Sequence, residues 1–181
     1  DALPIWIETF SRNVKDDVSV DIYVNFPLNT TDSRIKIIDY DSVLPNHKGW
    51  LEQFEDKCPR SLYNKKMGMR FSYKAFVMQH ALDNNSNCYL IWLDGDCVFK
   101  ENQSFIDFQE YMLDGKFIAA QREKTDGNHH CESGFVLFDT DHPDKIKFNS
   151  QFKINYEIDN IIQMQEPFDG FVIYKCLDGI D

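Results

Sequence analysis

Short apolar runs alternate with amphipathic segments along the chain. The apolar runs are rich in Val, Ile, Phe and Tyr, which are typical of buried β-strands. We therefore predict strands over residues 18–25, 35–39, 88–93, 117–120, 135–138 and 171–174. No internal repeat and no Pro/Gly-rich linker interrupts the pattern, which predicts a single domain over residues 1–181.

The segments between the strands have the apolar spacing of helices. One stripe recurs every three or four residues, as on a helical face, and consists of Phe71, Ala75, Met78 and Leu82. Further helices are predicted after Pro45 with Trp50, Leu51 and Phe54 on one face, from Ser104 to Leu113 before Gly115, and after Pro143 with Ile146, Phe152 and Tyr156. This alternation predicts the α/β class, as an α/β/α sandwich with a mostly parallel central sheet. In such sheets ligands bind beyond the carboxyl ends of the strands.

The charge of the chain argues against several function classes. Its 181 residues contain 19 Lys and Arg against 30 Asp and Glu, a formal net charge of −11. Nucleic-acid binders and proteins that dock on anionic lipid need basic surfaces, so we expect neither kind of partner. No apolar run reaches the roughly 20 residues of a membrane span, so we expect no such span.

Cysteine usage bears on the compartment. The five cysteines contain no C-x-x-C pair, which argues against both a disulfide framework and a zinc site. We therefore expect a reducing, cytoplasmic location. The chain begins at Asp1 without Met, so it can be a piece of a longer protein.

The sharpest candidate for chemistry is the sequence YLIWLDGD at residues 89–96. Its apolar residues predict a central strand, and Asp94 and Asp96 follow at the carboxyl end. Residues two apart in an extended segment point to the same side, and Gly95 between them leaves room for a ligand. Two convergent carboxylates favour a hard divalent cation that can bridge to phosphates. The alternative is a plain turn, because Asp-Gly is a common turn signal.

A basic segment lies just before this strand. Residues 60–74 carry five Lys and Arg and no acid, although the whole chain is acidic. Lys66, Arg70 and Lys74 recur every four residues and are predicted to form one edge of a helix. A local positive edge suits a diphosphate, so we expect these residues to bind one. The alternative is a solvated helix face.

Two polar segments precede the last predicted strands. The sequence NHHCESG at 128–134 predicts a loop in which histidine or Glu132 could bind metal or sugar hydroxyls. His129 and His130 are adjacent and cannot easily face one metal, which argues against them as ligands. The sequence EPFDGF at 166–171 predicts a turn before the final strand. Asp169 is placed there as a general base or a charge-stabilising carboxylate, and an ordinary turn Asp is the alternative.

In this order the elements resemble those of the small GT-A glycosyltransferases of bacteria and large algal viruses. The resemblance covers about residues 58–176 and is carried by the basic helix, Asp94-Gly95-Asp96, Glu132-Ser133-Gly134-Phe135 and Phe168-Asp169-Gly170-Phe171. It implies a GT-A-like fold in which Asp94 and Asp96 hold Mn²⁺ or Mg²⁺ on the diphosphate of a nucleotide sugar. It also implies that Arg70 contacts the donor. Asp169, or secondly Glu132, would serve in catalysis.

The activity implied by the resemblance is metal-dependent glycosyl transfer. A sugar would move from a nucleoside-diphosphate sugar, a UDP-sugar, to a hydroxyl of a glycan or glycoprotein, in the host cytoplasm if the protein is viral. Inverting and retaining mechanisms stay open. The chain departs from the family in two ways, since no opening strand is evident and no His follows His142 as a third metal ligand.

Two alternatives belong to other classes. One is a module that binds nucleotide sugars or glycans without turnover. The other is a phosphatase of the haloacid-dehalogenase type, because residues 94–98 match its Asp-x-Asp-x-Val pattern. Only 85 residues follow Asp96, which leaves little chain for the downstream Lys and acidic pair of that fold.

Overall fold

The computed structural model describes residues 2–15, 17–86, 88–112, 115–125, 128–177 and 180, without the side chains of residues 2, 105, 121–125 and 128–130. The fold is mixed α/β, with 48% helix and 18% strand, which confirms the predicted class. The helices span Ala2–Asn13 (α1), Tyr40–Val43 (α2), His47–Lys57 (α3), Leu62–Asn84 (α4), Phe105–Gln109 (α5), Asp144–Asn155 (α6), Ile158–Ile161 (α7) and Asp169–Cys176 (α8). The strands span Val20–Val24 (β1), Ile35–Asp39 (β2), Tyr89–Leu93 (β3), Ile118–Thr125 (β4) and Asn128–Asp139 (β5).

The chain forms two compact units. The first unit consists of Asp1–Pro45 and Leu93–Asp114, and the second of Asn46–Trp92 and Gly115–Asp181. The boundary between the units passes through the end of β3, so Asp94 and Asp96 belong to the first unit. The basic residues of α4 belong to the second. That residues 1–181 act as one domain stays a prediction.

The first unit has an aromatic core of its own. β1 and β2 pair in parallel over their whole lengths. α1 buries Trp6 and Phe10, whose ring centroids lie 5.2 and 5.7 Å from that of Phe99. The Arg34 guanidinium, which pairs with Asp32 at 2.6 Å, lies over the Phe10 ring. The core of this unit therefore joins α1 to the segment that follows the end of β3.

The second unit is built on a three-stranded antiparallel sheet in the order β3-β5-β4. α8 packs on β5, and both α4 and α6 pack on α8. The buried core between these elements is apolar and rich in aromatic rings. It includes Trp50, Phe54, Met78, Leu82, Phe117, Val136, Phe138, Phe148, Phe152, Tyr156, Val172 and Ile173.

The helices predicted around residues 50, 75 and 150 are confirmed as α3, α4 and α6. α4 begins after Ser61, whose hydroxyl accepts from the backbone N–H of Asn64, and it buries most of its predicted stripe. In α6 the buried face carries Phe148 and Phe152, whereas Ile146 is exposed. The existence of this helix was therefore predictable, but not its orientation.

The prediction of a strand over residues 171–174 is wrong, because these residues belong to α8. Phe171, Val172 and Ile173 are all buried, so the helix has no polar face at this point. A short continuous apolar run fits a buried helix as well as a buried strand, and periodicity does not separate them. The acid Asp169 in the first turn is the local signal that favours a helix here.

Other expectations also differ from the structure. The larger described sheet is antiparallel rather than mostly parallel, because the runs at 117–120 and 135–138 pair with one another in β4 and β5. A GT-A central sheet is therefore not shown. The helix predicted from Ser104 to Leu113 ends at Gln109, and Leu113 lies outside the described residues. α1 was not predicted at all.

Candidate functional site

The first candidate region is the turn that follows β3, called here the acid turn and formed by Asp94, Gly95 and Asp96. The N–H of Cys97 donates to the carbonyl oxygen of Asp94 at 3.1 Å and closes the turn. The two carboxylates therefore do not lie on one extended segment, and that part of the prediction is wrong. The physical reason is the turn preference of Asp-Gly, which prevails once the strand pairing ends at Leu93.

The acid turn differs in exposure along its length. Asp94 is half-buried, whereas Gly95 and Asp96 are exposed. Asp96 makes no hydrogen bond or ion pair with any residue in the described part of the chain. Both side chains offer hard oxygen donors, which suit Mg²⁺ or Mn²⁺. Among the described residues no group of three or more His, Cys, Asp and Glu could hold a metal ion, so further ligands would have to be phosphate or water oxygens.

The basic residues of α4 fall into two classes. Lys66 and Arg70 are exposed, and neither pairs with an acid in the described ranges. Lys74 is buried, with only 9% of its side chain exposed, so it does not continue the basic edge. Each step of four residues turns the helix by about 40°, so Lys74 is rotated by roughly 80° from Lys66 and faces the interior.

Lys74 lies in a polar cluster of the second unit, called here the Lys74 cluster and formed by the buried Lys74 and Asp169 and the half-buried Ser133 and Trp92. Its Nζ lies 2.8 Å from Oδ2 of Asp169, which is close enough for an ion pair but not aligned as a hydrogen bond. The same Nζ donates to the carbonyl oxygen and the hydroxyl of Ser133, at 2.9 and 3.1 Å. It also lies 5.7 Å from the ring centroid of Trp92.

A close backbone approach brings Asp169 to β5. A Cβ on Gly170 would lie 2.3 Å from the carbonyl oxygen of Cys131, so only glycine fits there without a shift. The start of α8 is thereby pressed against the strand that carries Ser133. Tyr156 is buried beside this site, and burial together with the negative charge of Asp169 raises the pKa of its phenol well above the usual range. Lys74, Asp169 and Tyr156 are thus buried, whereas Ser133 and Trp92 are half-buried.

Glu132 lies in β5 and not in a loop, contrary to the prediction for residues 128–134. Its side chain is exposed, and its Oε1 accepts from the N–H of Gly134 at 2.9 Å. The side chains of His129 and His130 lie outside the described residues. Through the neighbouring Ser133, the strand that carries Glu132 also contacts Lys74.

The structure thus brings together some of the predicted residues and leaves others apart. Lys74 and Asp169 are in contact, and Ser133 ties them to the strand of Glu132. Ser133 and Trp92 received no role from the sequence. Ser133 stands beside the predicted Glu132, but nothing local to it signals a contact with a helix 59 residues away.

No family model matches the chain, and neither does any curated protein or solved structure. No helix in the described part of the chain is long and apolar enough to cross a membrane.

Proposed function

We propose that the chain is a metal-dependent glycosyltransferase that transfers a sugar from a UDP-sugar to a hydroxyl of a glycan or glycoprotein. The observation that carries the proposal is the acid turn, which follows directly on the apolar strand β3. Its exposed Asp96 has no partner among the described residues and is available to a ligand. A GT-A-like arrangement around this strand is part of the same proposal.

In this proposal Asp94 and Asp96 supply carboxylate oxygens to Mn²⁺ or Mg²⁺ at the donor diphosphate. The cation, when bound, would offset the charge that develops on the leaving nucleoside diphosphate. Lys66 and Arg70 belong to the second unit and are proposed as phosphate-binding residues from the sequence, and both are exposed with no acid partner in the described part of the chain.

Two acids are candidates for the transfer itself. Asp169 would stabilise positive charge on the sugar in a retaining reaction, or take the proton of the acceptor hydroxyl in an inverting one. Glu132 is the second candidate and is exposed on β5. The exposure of Glu132 favours a contact with the acceptor. The burial of Asp169 favours a role as a fixed negative charge that stabilises positive charge on the sugar.

A module that binds nucleotide sugars without turnover is the second candidate function. The ion pair between Asp169 and Lys74 favours it, because a shielded and neutralised carboxylate is poorly placed to accept a proton. Metal-dependent binding of UDP without release of UDP from any UDP-sugar would select this candidate.

The test is a thermal-shift panel of nucleoside diphosphates and UDP-sugars, each with and without Mn²⁺. A ligand at 100 times its Kd stabilises the folded state by about 2.7 kcal/mol, which raises Tm by roughly 5–10 °C in a chain of this size. We expect this shift with UDP and Mn²⁺ together, and its loss in Asp96→Asn. Glu101→Gln, which removes an exposed acid from the same unit, is the matched control and should keep the shift. An equal shift in Asp96→Asn would refute the assignment of the acid turn.

A further inference from the structure

The geometry of the Lys74 cluster indicates a role for Lys74 that differs from phosphate binding. Three oxygen atoms lie within 3.1 Å of its Nζ, two of them as hydrogen-bond acceptors and one as an ion-pair partner. These oxygens belong to Asp169 and Ser133. With its side chain also buried, the ammonium has little surface left for a diphosphate.

We propose that Lys74 is a positioning residue, which holds the Asp169 carboxylate in one orientation for glycosyl transfer. This inference rests on the proposed function, because it assigns Asp169 a role in that reaction. Lys74 itself would touch neither donor nor acceptor and would act through Asp169. The phosphate-binding role is thereby left to Lys66 and Arg70, which are exposed on the same helix.

The contacts of Lys74 explain how one side chain can fix the carboxylate. It reaches from α4 to Asp169 at the start of α8 and to Ser133 on β5. Gly170 seats the same end of α8 against Cys131, two residues before Ser133 on the strand. The carboxylate is therefore held by an ion pair, and the turn of α8 that carries it is held by a close backbone contact.

The burial of the Lys74–Asp169 pair distinguishes it from an ordinary surface ion pair. An exposed ion pair of equal length is present in the same unit, between Lys153 and Asp83 at 2.8 Å. Their side chains are 48% and 45% exposed, against 9% and 3% for Lys74 and Asp169. Water screens the exposed pair, whereas the buried pair is screened little and leaves an uncompensated charge if one partner is removed.

The kinetic test compares Lys74→Met, Lys74→Arg and the control Lys153→Met in release of UDP from a UDP-sugar with Mn²⁺. Lys74→Met should lower kcat about 100-fold with KM for the donor changed less than about threefold, because misplacement of a reacting group affects the transition state most. Lys74→Arg keeps the charge, so its kcat should be at least about tenfold higher than that of Lys74→Met. Lys153→Met should behave as the wild type. A merely structural role would not separate kcat from KM or be rescued by Arg.

A double-mutant cycle keeps the proposal testable if Lys74→Met folds poorly. The cycle compares the unfolding midpoints of Lys74→Met, Asp169→Asn and the double variant. We expect the double variant to unfold at a higher denaturant concentration than either single variant, because it leaves no unpaired buried charge. Additive midpoints would overturn the coupling on which the inference depends.

The two proposals fail in different ways. A wild-type protein that neither binds UDP with Mn²⁺ nor releases UDP from any UDP-sugar would overturn the proposed function. A wild-type protein that releases UDP, together with a Lys74→Met variant of unchanged kcat, would overturn the positioning role alone. A raised KM for the donor at unchanged kcat in Lys74→Met would indicate that Lys74 binds the diphosphate. That result would also overturn the positioning role.

Discussion

The acid turn and the Lys74 cluster hold the same kind of charged group in opposite surroundings. Asp96 is exposed and has no partner in the described ranges, whereas Asp169 is 2% exposed and faces an ammonium at 2.8 Å. The acid turn is closed by a hydrogen bond between neighbours in the chain. The cluster instead draws its members from α4, α8, β3 and β5.

The difference shows what each carboxylate is free to do. An exposed acid without a partner loses little when a cation displaces its hydration water, so Asp96 is suited to binding. A buried acid must keep its counter-charge, since an unpaired charge in the interior is strongly destabilising. Asp169 is thus suited to a fixed position. The same residue type therefore serves exchangeable binding in one region and rigid geometry in the other.

The largest expected effect comes from making one chemical change in both regions. Asp169→Asn removes the charge that faces Lys74 and leaves a buried ammonium unpaired, so the free energy of unfolding should fall by about 3–5 kcal/mol. Asp96→Asn changes an exposed side chain and should alter it by less than about 0.5 kcal/mol. Urea denaturation of the two variants measures both values. Equal losses in the two variants would show that the regions do not differ as described.

A second effect concerns another buried polar group of the second unit, His47. Its Nε2 lies 2.8 Å from the hydroxyl of Ser72, which itself donates to the carbonyl oxygen of Met69. The imidazole therefore donates to Ser72 through Nε2–H. Burial lowers the pKa of His47 from 6.5 to about 4, because the charged form would lose its hydration.

The lowered pKa predicts a stability change with pH. Between pH 6.5 and 4 the unfolded chain binds more protons at this site than the folded one. The contribution of His47 is therefore complete above pH 6.5 and is lost as the pH falls toward 4, by about 2–3 kcal/mol. His47→Gln keeps a donor for Ser72 and should flatten that part of the curve. Parallel curves for wild type and variant, measured by urea denaturation at pH 7 and pH 4, would contradict the prediction.

Much of the fold follows from local signals, and the site follows from them only in part. The stripe of α4 and the run of β2 carry enough apolar spacing to be predicted, and β2 was predicted with its observed bounds. Residues 171–174 cannot be assigned in this way, because the buried part of α8 shows the same apolar run as a strand. The sequence offers a turn at Asp94 as the alternative to an extended metal-binding segment, because Asp-Gly is a local turn signal.

The contact between Lys74 and Asp169 could not be predicted from spacing. The sequence marks the two residues separately, Lys74 as part of a basic edge and Asp169 as an acid before the last apolar run. Their pairing depends on how α4 and α8 pack together. A periodic pattern predicts one face of a helix, but it does not predict which side chain of another element contacts that face. Lys74 faces the interior because residues four apart are rotated by about 40° around the helix axis, which adds up between Lys66 and Lys74.

The smallest expected effect compares the glycines of the two regions. Gly170→Ala would place a Cβ 2.3 Å from the carbonyl oxygen of Cys131, so backbone must shift and the free energy of unfolding should fall by about 1–3 kcal/mol. At Gly95 no described atom outside its two chain neighbours lies within 4 Å of an added Cβ. Gly95→Ala should therefore leave stability unchanged or raise it by up to about 1 kcal/mol, since alanine restricts the unfolded chain.

The two glycine variants also separate packing from ligand binding. Gly95→Ala adds a methyl group to the acid turn, which the proposed diphosphate has to approach. The Mn²⁺-dependent thermal shift with UDP should therefore shrink in Gly95→Ala although its unliganded Tm does not fall. Gly170→Ala should show the reverse pattern, a lower unliganded Tm with the ligand-induced shift retained. If both variants lost the shift in proportion to their loss of stability, the acid turn would have no binding role separable from folding.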